Sequence, residues 1–157
     1  MRESPNPDTG LALRAGPVHL QLREILPGDP SRGLAATHHF EIMLDDGTVV
    51  GHINLRIGSA RHLIMTVGHI GYAVRPEHRG HSYSYLACLA LAPFARQHYD
   101  RVILTVDPDN TPSIRIIEKL GAVFVEEVVV LEDDPAYANG ARRKKRYEWV
   151  LRSRAAG

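Results

Sequence analysis

Between Gly68 and Ser84 the chain reads GHIGYAVRPEHRGHSYS, and this stretch restricts the fold more tightly than any other. An alternating apolar segment stops at Arg75-Pro76, crosses a short basic turn and enters a long Ala/Leu-rich helical pattern. A glycine at that junction lets successive backbone N–H groups turn toward an anion at the start of the incoming helix. That is the physics of a diphosphate cradle. It points to a cofactor-dependent enzyme.

The flanking sequence supplies a scaffold for such a cradle. Residues 1–16 contain Pro5, Pro7, Gly10 and Gly16 and read as a loose arm. Alternation predicts a first strand over Val18–Ile25. A second follows over His38–Leu44, then an Asp45-Asp46-Gly47-Thr48 hairpin turn and a third strand over Val49–Ile57. His62–Val74 reads as a long fourth strand, with Gly68 and Gly71 marking a bulge or splay. A helix over Ser82–His98 carries Pro93, which predicts a kink near Leu89–Pro93. A buried-type strand follows over Arg101–Val106. The next helix runs from Asp109 to Gly121, with Asn110 or Thr111 as its cap and Pro112 in its first turn. Strands over Val123–Leu131 and Lys144–Leu151, joined by a 132–140 loop, complete the pattern. The fold class is α+β: a single mixed, mostly antiparallel twisted sheet of about seven strands with helices on its faces. The helix between strands four and five predicts a right-handed parallel crossover there. One domain spans 17–152, and 153–157 form a tail.

Composition narrows the function. The 157 residues, 44% of them hydrophobic, suffice for one core. A formal charge of +1 gives no global field toward nucleic acid or membrane. No apolar run approaches the roughly 20 residues that span a bilayer, and no signal-peptide pattern opens the chain. The single cysteine, Cys88, excludes an internal disulfide, so a cytoplasmic protein is expected. Nine histidines lack the spacing of a metal site, and no metal is expected. The basic run Arg142–Arg146 has no interleaved aromatics and reads as a solvated edge.

Two segments together resemble the GNAT superfamily of acyl-CoA-dependent N-acyltransferases. VRPEHRGHSYS is similar to that family's diphosphate loop. DPDNTPSIRIIEKLGAVF is similar to its Asn-x-x-Ser segment after the fifth strand. The resemblance covers roughly Val18–Leu151. It implies acetyl-CoA as acyl donor, its diphosphate held by backbone N–H groups of Arg79, Gly80, His81, Ser82, Tyr83 and Ser84. It also implies a pantetheine arm along Tyr72, Ala73 and Val74, with Asn110 and Arg115 beside it. The acceptor would be a primary amine of a small molecule or peptide. Two positions depart from the family pattern. Ser82 stands where a second glycine is usual, and Ile117 where a tyrosine often protonates the departing thiolate, leaving Ser113 or water for that role. The segment Leu26–Thr37 is abbreviated where relatives insert helices. An open acceptor side follows, suited to a bulky substrate or to completion by a second subunit in a homodimer. With two positions off-pattern, a sensor that binds acyl-CoA without transferring the acyl group is the alternative reading.

Individual residues remain open at this point. His69 reads either as the base that deprotonates the amine or as a histidine hydrogen-bonded within a sheet. His52, Asn54 and Arg56 share one face of the third strand and either line the acceptor pocket or form a solvated face.

Overall fold

The computed structural model describes residues 12–29, 31 and 35–152. Five antiparallel strands form one sheet in the order β1 (Arg14–Ala15), β2 (Val18–Leu26), β3 (Ala36–Leu44), β4 (Val49–Ile57) and β5 (Ile70–Val74). A second antiparallel sheet has the order β6 (Arg101–Val106), β8 (Arg143–Val150), β7 (Val123–Val129). Helix α1 (Tyr83–Ala95) joins the two sheets, α2 (Thr111–Lys119) follows β6, and the short α3 (Pro135–Ala138) precedes β8.

Alternation on β3 and β4 explains why α1 packs where it does. Phe40, Ile42, Ile53 and Leu55 are buried on one face, and cross-strand pairing places Phe40 opposite Ile53. α1 is apolar on nearly every side and buries Ala87, Cys88, Leu91, Phe94 and Ala95 in the same cluster. Such a helix is stable only when covered, and the β1–β5 sheet covers it. Pro93 lies inside α1, which continues to Ala95. The opposite face of the sheet carries His39, Glu41, His52, Asn54 and Arg56.

The α+β architecture is the expected one, but its sheet is divided. All ladders among the described strands are antiparallel, and β5 and β6 meet at one joint. There the His69 N–H donates to the Ile103 carbonyl at 2.8 Å, and the Ile103 N–H donates to His69 Nδ1 at 2.8 Å. Beyond this joint the strands diverge.

Four expectations are corrected. The fourth strand does not begin at His62. Leu63–Val67 make one wide helical turn, closed by the Gly68 N–H on the Leu63 carbonyl at 2.6 Å, and the strand starts at Ile70. The apolar run Leu63-Ile64-Met65 is too short to show a period, so strand and helix are indistinguishable there. Gly68 sits at φ 82°, and a Cβ on it would lie 3.1 Å from the Ile103 carbonyl oxygen. Leu13–Ala15, expected within the arm, belong to the fold, because Leu13 is buried and Arg14–Ala15 pair with β2. The 132–140 loop holds α3, whose cap Asp134 accepts from the Ala136 N–H at 2.8 Å. Finally, the sheet of about seven strands is a set of five plus three. Most of the arm (1–11), parts of the Leu26–Thr37 connection (30, 32–34) and the tail (153–157) lie outside the described residues.

Candidate active site

The basic turn and the start of α1 build one end of the site. Gly80 has φ 91° and Ser82 φ 61°, so both residues adopt the left-handed conformation. For a serine this costs about 1–2 kcal/mol. No side chain caps the helix at Ser82, and the first N–H to reach a carbonyl of this turn is that of Leu86, on the Ser82 carbonyl at 3.0 Å. The N–H groups opening α1 are therefore free to face a ligand, with the positive end of the helix dipole behind them. A cavity of about 430 Å³ runs from this turn, lined by Arg79, Gly80, Ser82, Tyr83 and Ser84, to Tyr72, Ala73 and Val74 on β5. These dimensions and donors fit a diphosphate with an extended arm.

Register sets the direction of the β5 backbone. The Arg75 N–H bonds the Val50 carbonyl and the Arg56 N–H bonds the His69 carbonyl, which makes these hydrogen-bonded pairs of the β4–β5 ladder. Alternation then turns the N–H and C=O groups of Tyr72 and Val74 away from β4, into the gap beside β6. Arg79 Nε already donates to the Val74 carbonyl at 3.3 Å.

At the inner end of this cavity the Tyr72 hydroxyl lies 2.6 Å from Ser113 Oγ. Ser113 occupies the first turn of α2 because Asn110 caps it, Oδ1 accepting from the Ser113 N–H at 3.3 Å. Burial pushes the Tyr72 hydroxyl up to about 12, against the lowering effect of its bond to Ser113. Both hydroxyls thus hold protons at neutral pH. Ile117 is buried one turn further along α2.

A second cavity, of about 520 Å³, also reaches Tyr72, Asn110 and Ser113. It continues between β5 and β6 to Arg56, Thr105, Asp107 and Lys144. Lys144 Nζ is 2.9 Å from Asp107 Oδ1. Arg56 Nη1 donates to the Gly68 carbonyl at 3.1 Å and to Val67 at 3.4 Å, and burial pulls its pKa below the usual value. Thr66 Oγ1 lies 2.6 Å from Asp134 Oδ2 and ties the wide turn to the cap of α3. Sequence reading missed Thr66, Asp107, Asp134 and Lys144. These contacts join positions far apart in the chain, and no local pattern signals them.

The remaining candidate residues fall in different places. His69 is buried, its ring 4.3 Å from that of Tyr99 and its Nδ1 occupied by the Ile103 N–H. Desolvation, the largest effect, lowers its pKa to about 4 despite a hydrogen bond to the Gly58 backbone. A histidine so placed is a joint between the sheets, and this geometry favours the sheet-bonded reading over the base. His81 is exposed and stacks on Tyr83 at 5.2 Å, while His78 lines the first cavity in its stead. Arg115 is exposed on α2, outside the walls of both cavities. His52 is exposed and borders a third cavity with His39 and Glu41. Asn54 Oδ1 is buried with no hydrogen-bond partner. Of those three β4 residues, only Arg56 reaches the gap. Among the described residues no group of three potential metal ligands occurs, and no helix is long and apolar enough to cross a membrane.

A sheet split beside a helix start that carries free amides defines a class, and the sequence agrees with it. Residues 21–123 match the profile of the acetyltransferase (GNAT) domain, so the chain belongs to the GNAT acetyltransferases. Solved structures share the fold. A GNAT-family acetyltransferase from Bacillus anthracis is 24% identical with a TM-score of 0.55, over 72% of this chain and 66% of that one. RimL, a ribosomal L7/L12 alpha-N-protein acetyltransferase, is 14% identical with a TM-score of 0.57, over 75% and 72%. The microcin C7 self-immunity acetyltransferase MccE, solved with acetyl-CoA and AMP, is 14% identical with a TM-score of 0.56, over 73% and 61%. The match thus spans just under two thirds of the first and third of these proteins. No curated protein matches the chain by sequence.

Proposed function

We propose that the protein transfers an acetyl group from acetyl-CoA to a primary amine by direct attack. The observation that carries this reading is the meeting of two cavities at Tyr72, Asn110 and Ser113. One leads to the free amides at the start of α1 and takes the donor. The other leads between β5 and β6 and takes the acceptor. Acetyl-CoA would supply the activated acyl group.

The chain's own groups then have defined tasks. The amides opening α1, with Arg79, hold the diphosphate. Backbone N–H groups of Tyr72 and Val74, turned into the gap, orient the arm and polarise the acyl oxygen. Asn110 caps α2, which sets Ser113 beside Tyr72. Ser113 gives a proton to the departing sulfur and recovers one from water, relayed through the Tyr72 hydroxyl. The amine proton passes to water, since His69 is committed to Ile103. Holding two reactants in adjoining cavities supplies most of the rate.

A thiol-release assay across a panel of amines tests the proposal. Turnover that depends on the amine supports it. Saturable acetyl-CoA binding without turnover for any amine would instead fit an acyl-CoA sensor.

A further inference from the structure

Resting on that transferase reading, we propose that the second cavity is built for an amine that carries an anionic group, with Arg56 as the anion's partner. Arg56 is half-buried on β4 and lines this cavity. Its guanidinium bonds only neutral carbonyls, those of Val67 and Gly68. Among the described residues no carboxylate lies within ion-pair distance of it. The other cation in the wall, Lys144, is neutralised by Asp107 at 2.9 Å. One positive charge is thus left uncompensated in a partly desolvated cavity, which is costly until an anion arrives.

The position of that charge identifies the kind of acceptor. The guanidinium lies over Gly71, where a Cβ would come within 2.5 Å of Nη2, so the missing side chain makes room for it. Gly71 is the chain neighbour of Tyr72, whose hydroxyl meets Ser113 at the junction of the cavities. Arg56, Tyr72 and Ser113 line one cavity, so an anion on the guanidinium and an amine at the junction would belong to one small acceptor. A free amino acid offers that combination, as a carboxylate with an amine. A small phosphorylated amine has it too, and the planar guanidinium binds either anion in bidentate fashion.

Two matched pairs of probes test this with the full chain saturated with coenzyme A. Phenylalanine is compared with phenethylamine, and O-phosphoethanolamine with ethanolamine, by calorimetric titration and then by acetyl transfer from acetyl-CoA. The anionic member of at least one pair should bind about tenfold more tightly than its neutral partner, a difference of about 1.4 kcal/mol. The favoured pair identifies the anion. Arg56→Gln should reduce that preference to within about twofold, whereas Arg56→Lys, which retains the charge, should keep most of it. A variant that merely misfolds would lose both members of a pair together, while the inference requires selective loss of the anionic one. Equal affinities in the wild type, no binding by either anionic probe, or a preference that survives Arg56→Gln would overturn it. Transfer without anionic preference would overturn this inference and leave the transferase standing. Anionic preference in binding without transfer would do the reverse.

Discussion

The Tyr72 hydroxyl stands 2.6 Å from Ser113 Oγ, and this contact joins the rim strand of one sheet to the first turn of the helix that follows the other. A strand residue and a helix residue 41 positions apart thereby form a single proton-bearing pair. Position 117, one turn further along the helix, holds a buried isoleucine.

If Ser113 protonates the departing sulfur, Ser113→Ala should lower kcat by about 10- to 100-fold, at or below the low end of general-acid effects, because a thiolate leaves readily. Tyr72→Phe should cost less. Burial pushes Tyr72 up to about 12, so its phenol keeps its proton across the neutral range. The pH–rate profile of Tyr72→Phe should therefore match the wild type in shape. Steady-state kinetics over pH checks both.

His69 should govern stability, and its removal should leave the pH dependence of turnover unchanged. Its folded pKa of about 4 lies below its ordinary 6.5, so the unfolded chain binds the proton more readily. Stability from this group is complete above 6.5 and is lost as pH falls from there toward 4. Thermal unfolding at a series of pH values should show this decline, and His69→Phe should flatten it. The same substitution strands the half-buried Ile103 N–H, at a cost of about 1 kcal/mol.

Ser82 is the one non-glycine residue at positive φ among those described. Ser82→Gly removes about 1–2 kcal/mol of left-handed strain but adds about 0.5–1 kcal/mol of unfolded-state entropy. The net expectation is a slightly raised Tm with acetyl-CoA affinity retained. Ser82→Val should lower both. Calorimetry on the free and coenzyme-bound forms measures the difference.

Gly51 and Gly71 both face close neighbours, yet they should respond differently to alanine. A Cβ at Gly51 would lie 2.2 Å from the Ala73 carbonyl oxygen, which is backbone in the β4–β5 ladder and cannot yield. Gly51→Ala should cost more than about 2 kcal/mol, as overpacking against backbone does. A Cβ at Gly71 meets only the end of the Arg56 side chain. Gly71→Ala should therefore stay folded and raise KM for the amine by displacing the guanidinium. Urea unfolding and acceptor titration separate the two.

Much of the scaffold was written locally in the sequence. Alternation marked β3 and β4, because period-two burial on one face is a property of neighbouring residues. Asn110, Pro112 and Gly121 delimited α2, because caps act within one turn. The basic turn with Gly80 marked the start of α1 for the same reason. Tertiary structure alone decided the rest. Whether His69 is a base or a joint depended on Ile103, which closes onto it from the other sheet. Whether Arg56 faces solvent or a cavity depended on a gap that exists only because the two sheets diverge past that joint. Local patterns encode conformation and exposure, whereas the partner of a buried polar group is chosen by three-dimensional packing between segments remote in the chain.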